Sequence, residues 1–379
     1  MDWLVERMRE FGTTIFAEMS ALAVATGSIN LGQGFPDTDG PAELIDAAAT
    51  ALRSGQNQYP PGPGLPQLRS AISAHQARRY RLDYDPDTEV LVTAGATEAI
   101  AAALLALTQP GDEVVLFEPY YDSYAACVAL AGARRRTVTV ERDGAGWGFD
   151  PDALRAAVTP RTRAIVLNTP HNPTGTVFSR EQLQAVADVA IARELVVIAD
   201  EVYEHLLFDG RIHTPIATLP GMRERTVTIS SAGKTFSVTG WKVGWACAPR
   251  ELLGAVRTVK QFLTYVNGAP FQPAVAQVLD RAERLAPAAA LQAQRDLFCA
   301  GLADLGYDVV VPQATYFATV EVDGDAVSFC RELPRRAGVV AIPSSVFYDS
   351  SAGDRYVRFA FCKRPEVLQQ AIERLGRTG

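Results

Sequence analysis

The sequence is poor in lysine. Of its 36 Lys and Arg residues, only Lys234, Lys242, Lys260 and Lys363 are lysines. Alanine, glycine and arginine are plentiful, as a GC-rich genome would give, so composition alone accounts for the scarcity. Each lysine is still worth inspecting, because arginine keeps its proton at neutral pH and cannot act as an amine nucleophile. Long apolar runs are also missing: none reaches the roughly 18–20 residues of a membrane span. The N-terminal MDWLVERMRE is charged from its second residue and lacks the apolar stretch of a signal peptide. The five cysteines are widely spread, with no CxxC pair and no Cys/His cluster. That spacing argues against a disulfide framework or a zinc site and fits a reduced cytoplasm. The four histidines do not fall at metal-ligand spacing, and no HExxH occurs. No GxGxxG follows a strand. Gly233-Lys234-Thr235 imitates the end of a P-loop, but Thr228 stands where that motif requires glycine. The net charge of −7 argues against a nucleic-acid binder.

What remains is an ordinary globular composition. Of 379 residues, 48% are hydrophobic and 21% charged, enough for a sizeable core and, at about 100–200 residues per domain, for two domains. The middle of the chain alternates short apolar runs with helical patterns. EVLVTAG (89–95), EVVLFEP (113–119), RTVTVE (136–141), RAIVLNTP (163–170), LVVIADEVY (195–203), TVTISS (226–231) and VGWACAP (243–249) read as strands. Helices are expected over 97–107, near 121–131, after Asp150-Pro151 and from Ser179. This is the pattern of an α/β protein with a mainly parallel sheet covered on both faces. Ligands bind such sheets at the carboxyl ends of the strands, which marks Asn168, Asp200 and Ser230. Beyond about residue 280 the pattern changes to a smaller α+β unit, entered through a long helix over about 271–303. The first forty residues are expected to hold little regular structure and to pack with that unit.

The segment SSAGKTFSVTGWKVGW (230–245) puts a lysine just past a strand end and a second one eight residues on. A lysine at the edge of a cleft can form a Schiff base with an aldehyde. Taken alone, it reads as readily as a solvated loop residue. TAGATEA (93–99) is a small-residue turn into a helix N-terminus, a geometry that suits a phosphate. With NLGQGFPD (30–37), NQYPPGPG (57–64), EPYYDSY (118–124), NTPHNPTG (168–175), DEVYEHL (200–206) and YVRFAFCK (356–363), nearly the whole chain resembles the class I/II aminotransferases, pyridoxal-phosphate enzymes of fold type I.

The resemblance implies a large cofactor-binding domain over 39–281 and a small domain from 1–38 and 282–379. It implies that Lys234 holds pyridoxal 5′-phosphate and moves the substrate proton. Asp200 would pair with the pyridine nitrogen, Tyr203 and Asn172 with the ring hydroxyl. Tyr121 and Val202 would press the two ring faces. The phosphate would sit among the amides of Ala96 and Thr97, the Ser231 hydroxyl and Lys242. Arg358, with the backbone at Gly34, would clamp the substrate carboxylate. Phe16 and Tyr265 would line the side-chain pocket. Tyr265 would come from a neighbouring subunit, and Tyr59 would reach that neighbour's phosphate, so a homodimer with shared sites is expected. The substrates would be an amino acid, glutamate as the expected donor, and a 2-oxo acid, exchanged in ping-pong order. TTIFAEMSALA, GATEAIAAA and GAPFQPAVA look closer to the N-succinyldiaminopimelate branch of lysine biosynthesis than to the kynurenine/glutamine/methionine branch, whose kynurenine-type members carry tryptophan at the position of Phe16. A cysteine-conjugate β-lyase is the remaining alternative. Lys260 and Lys363 are expected at the surface.

Overall fold

The computed structural model describes residues 3–12, 14–144 and 146–377. Its larger sheet contains β1 (Val90–Ala94), β2 (Glu113–Glu118), β3 (Arg134–Thr139), β4 (Thr162–Asn168), β5 (Val196–Asp200), β6 (Thr226–Ser231) and β7 (Val243–Cys247). Across the sheet the order is β1-β7-β6-β5-β4-β2-β3. β7 runs antiparallel to both neighbours, and every other pairing is parallel. Strict alternation sorts the strand side chains into two cores. Val114, Leu116, Val166 and Ile198 meet α2 (Gly95–Leu107), α3 (Asp122–Leu130) and α5 (Arg250–Leu263) on one face. Val115, Phe117, Ile165 and Val197 meet α4 (Arg180–Ala192) on the other. Ser179 opens α4 with a capping box to Gln182, satisfying helix-end amides that would otherwise lack partners.

A second, antiparallel sheet holds β8 (Asp308–Val310), β9 (Phe317–Glu321), β10 (Ile342–Pro343) and β11 (Tyr356–Ala360), in the order β8-β9-β11-β10. Its core also takes in Met19 and Ala23 from the N-terminal helix α1 (Ile15–Thr26) and Tyr203 and Leu206 from beyond β5. Two expectations need correction here. The first forty residues contain that 12-residue helix, capped by Thr14 and closed by Gly27 in the left-handed conformation. The expected helix over 271–303 is three pieces, Phe271–Val278, Ala282–Leu285 and Ala288–Asp304. Pro287 explains the second break, because its ring denies a helix both an N–H and space.

Candidate active site

A cavity of about 470 Å³ opens at the carboxyl ends of the parallel strands, against the small sheet. Asn168 and Asp200 stand at the ends of β4 and β5, and Ser231 at the end of β6. Ser230 does not face it. Neighbouring residues of a strand point to opposite sides, and the Ser230 hydroxyl bonds Glu204 in the interior instead.

Three ionisable groups converge there. Asp200 is buried, and burial raises its pKa. Its Oδ2 accepts from the Tyr124 hydroxyl at 2.6 Å and its Oδ1 from the Val202 amide at 3.3 Å. Lys234 Nζ donates to the Tyr316 hydroxyl at 2.7 Å, and Tyr316 donates onward to the Gly34 carbonyl at 2.7 Å. Burial holds the Lys234 amine down at about 8, so a sizeable neutral fraction exists near neutral pH. Arg358 is 1% exposed on β11. Its Nη1 reaches Asn172 Oδ1 at 3.2 Å, its Nη2 reaches the Gly32 carbonyl at 2.9 Å, and its Nε has no partner. The guanidinium lies 4.1 Å from the centre of the Phe317 ring, with Phe347 and Phe16 at 4.9 and 5.2 Å. Burial pulls its pKa down to about 10. A buried cation with only neutral partners and one idle N–H is prepared for an anion.

A second anion cradle lies at the start of α2. Gly95, Ala96 and Thr97 of its first turn line the cavity with Lys242, and the unpaired amides of a helix start suit an anion. A Cβ on Gly95, whose φ is +75°, would stand 3.1 Å from Lys242 Nζ. One on Gly244 would stand 2.6 Å from the Gly95 carbonyl carbon and 2.8 Å from the Ala96 nitrogen. Only glycine at both positions lets the ammonium and the helix end meet.

A family model described as aminotransferase class I and II matches residues 26–375. The chain belongs to the class I and II aminotransferases. The solved structure of N-succinyldiaminopimelate aminotransferase from Mycobacterium tuberculosis superposes with a TM-score of 0.96 at 54% identity, covering 99% of this chain and 100% of that one. Methionine aminotransferase of Escherichia coli is 40% identical, covering 97% of each chain. The kynurenine–oxoglutarate transaminase of Dictyostelium discoideum is 37% identical over 96% of this chain and 94% of its own. The protein is an aminotransferase, its fold is type I, and its cofactor is pyridoxal 5′-phosphate. The residues fit that group: a phosphate cradle, a buried carboxylate and a lysine of lowered pKa face one cavity.

This aminotransferase brings Phe16, Gly34, Ala96, Thr97, Tyr121, Asn172, Asp200, Val202, Tyr203, Ser231, Lys234, Lys242 and Arg358 to that cavity. Tyr59 and Tyr265 do not line it; they are 80% and 52% exposed and pack edge to face on one another at 5.5 Å. Tyr124 and Tyr316 are the additions that sequence reasoning misses. Tyr124 sits one helical turn after Tyr121 in the EPYYDSY run, a spacing that puts both on one face. Tyr316 carries no comparable signal. The two lysines expected at the surface are both buried. Lys260 donates to the Gly62 and Tyr265 carbonyls, Lys363 to the Phe35 carbonyl.

The described residues also contain one buried trio within metal-ligating distance, His75, Glu204 and His205. Its groups are already engaged: Glu204 accepts from Tyr80 and Ser230, and the two imidazoles bond each other at 3.0 Å.

Proposed function

We propose that this aminotransferase acts on N-succinyldiaminopimelate, with glutamate as its amino donor, and works as a homodimer with shared active sites. The observation that carries the substrate reading is the 54% identity, across 99% of the chain, to the mycobacterial enzyme of that name. Phe16 supports it through its identity, since it stands where kynurenine-type relatives carry tryptophan and lines the cavity beside Arg358. We take residues 39–281 as the cofactor-holding domain and 1–38 with 282–379 as the small domain that brings Arg358. The five cysteines, all free and buried, support a reduced cytoplasmic setting.

Bound pyridoxal phosphate supplies an aldehyde for Schiff-base formation and a ring that withdraws electrons from the substrate Cα. The chain's own groups do the rest. Ala96, Thr97, Ser231 and Lys242 hold the phosphate. Asp200, kept dry and oriented by Tyr124, keeps a proton on the pyridine nitrogen. Asn172 and Tyr203 bond the ring hydroxyl, while Tyr121 and Val202 confine the ring. Arg358 pairs bidentately with the substrate carboxylate, and Gly34, which has no room for a side chain 2.5 Å from Phe317, assists through its backbone. Lys234, neutral above about pH 8, would take the proton from the substrate Cα and deliver it to the cofactor's C4′ carbon. Donor and acceptor use the same carboxylate site in turn, which makes the order ping-pong.

The test is a panel of single amino acids added to the holoenzyme, following the loss of the cofactor's visible band. Glutamate and N-succinyldiaminopimelate are expected to bleach it. Bleaching by kynurenine or phenylalanine with none by the succinylated compound overturns the substrate reading. Pyruvate and ammonia released from a cysteine conjugate without an oxo acid would identify a lyase.

A further inference from the structure

Tyr59 and Tyr265 stand outside the cavity of their own chain, on two loops that the fold fastens together. Tyr265 has a φ of +63°, in the left-handed region. Such a backbone is unfavourable for an L-residue and persists only where its surroundings over-determine it. The surroundings here are side chains that grip loop backbone. Lys260, 1% exposed on α5, donates from Nζ to the Tyr265 carbonyl at 2.6 Å and to the Gly62 carbonyl at 3.2 Å. Gly62 lies three residues beyond Tyr59. Gln272, also buried, accepts from the Leu65 amide at 2.8 Å and donates to the Asn267 carbonyl at 2.6 Å, joining the same two loops again. Thr264 donates to Glu98, whose other oxygen accepts from the Ala94 amide at 2.6 Å, so the second loop is also fixed to the start of α2.

Burial disfavours the Lys260 ammonium and lowers its pKa, with Glu98 acting the other way. An ammonium buried among carbonyls is a costly way to fill space, whereas its three N–H donors suit it to fixing several carbonyls at once.

We infer that Lys260 is a positioning residue that sets Tyr59 and Tyr265 for the active site of the neighbouring subunit, and so acts in trans. The inference rests on the shared-site reading above, and hybrid dimers separate the two. In a Lys260→Met homodimer, both pockets receive misplaced loops. Cofactor affinity, read from the visible band of cofactor joined to Lys234, and kcat/KM are each expected to fall about tenfold, the effect of losing a charged hydrogen bond. A tagged hybrid of one Lys260→Met subunit with one Lys234→Ala subunit has a single competent pocket. That pocket belongs to the Lys260→Met chain and is completed by loops with an intact Lys260. Wild-type values per competent pocket are therefore expected. A hybrid as impaired as the homodimer overturns the inference, as does a homodimer identical to wild type. The control hybrid pairs Tyr59→Phe with Lys234→Ala. If the control recovers and the Lys260→Met hybrid does not, only the Lys260 inference falls. If the control does not recover, the shared-site reading falls and takes the inference with it. Should the Met variant not fold, Lys260→Gln, which keeps neutral donors, goes through the same hybrids.

Discussion

Burial acts on two cations of one cavity and gives them different work. At Lys234 it releases a proton. Because the pKa is lowered to about 8, the amine is neutral above that pH and protonated below it. The rate at which the apoprotein takes up pyridoxal phosphate is expected to rise about tenfold per pH unit up to about pH 8 and then level off. Growth of the visible band measures it, and a rise continuing to pH 10 would contradict the lowered pKa. Lys234→Arg is expected to abolish turnover, since arginine offers no neutral amine. At Arg358 the guanidinium keeps its charge and lacks only a charged partner. Arg358→Gln removes two charge-assisted bonds to the substrate and is expected to lower kcat/KM roughly a thousandfold. A loss under tenfold would place the carboxylate elsewhere. Both residues are legible in the sequence because their chemistry admits few substitutes. Lys260 and Lys363 are not, since backbone carbonyls have no sequence signature of their own, and those at Gly62 and Phe35 are also distant in sequence.

At the scale of elements, the site depends on strand ends and one helix start. The most sensitive contact is where β7 passes the first turn of α2. Gly244→Ala would press a methyl group against the Gly95 and Ala96 backbone, and overpacking of this kind costs about 1–3 kcal/mol. The expected result is a cofactor dissociation constant raised about tenfold, measured by titrating the apoprotein, together with a lowered melting temperature of the apoprotein itself. The parallel strands were readable from their short apolar runs, and their ends from the polar residues that follow. The N-terminal helix was not. IFAEMSALAVAT is apolar around most of its circumference, so no stripe at period 3.6 distinguishes it. The helix expected over 271–303 failed for the opposite reason: the alanine-rich pattern masked Pro287, a breaker visible in the sequence. The strand-end rule by itself marks Ser230, while the resemblance marks Ser231; strand ends blur by a residue, and one residue reverses the face.

At the scale of the molecule, the unexplained surface is informative. Tyr59 and Tyr265, which pack on one another, and Phe262, near the end of α5, are exposed at 80%, 52% and 83%. Aromatic side chains of this kind are enriched at protein–protein interfaces. Light scattering is expected to give twice the chain mass of 40.8 kDa. A monomer that turns over at full rate would remove the shared-site reading.

The loop from Gly32 to Phe35 is held through its carbonyls. Arg358 takes the one at Gly32, Tyr316 the one at Gly34 and Lys363 the one at Phe35. Two of those donors are groups of the active site: the guanidinium, and the phenol that also accepts from Lys234. Arg358, which faces the substrate carboxylate, and Tyr316 thus hold the same stretch of backbone. The carboxylate site and the N-terminal segment therefore share their hydrogen bonds, and the shared stretch ends at the half-exposed Phe35.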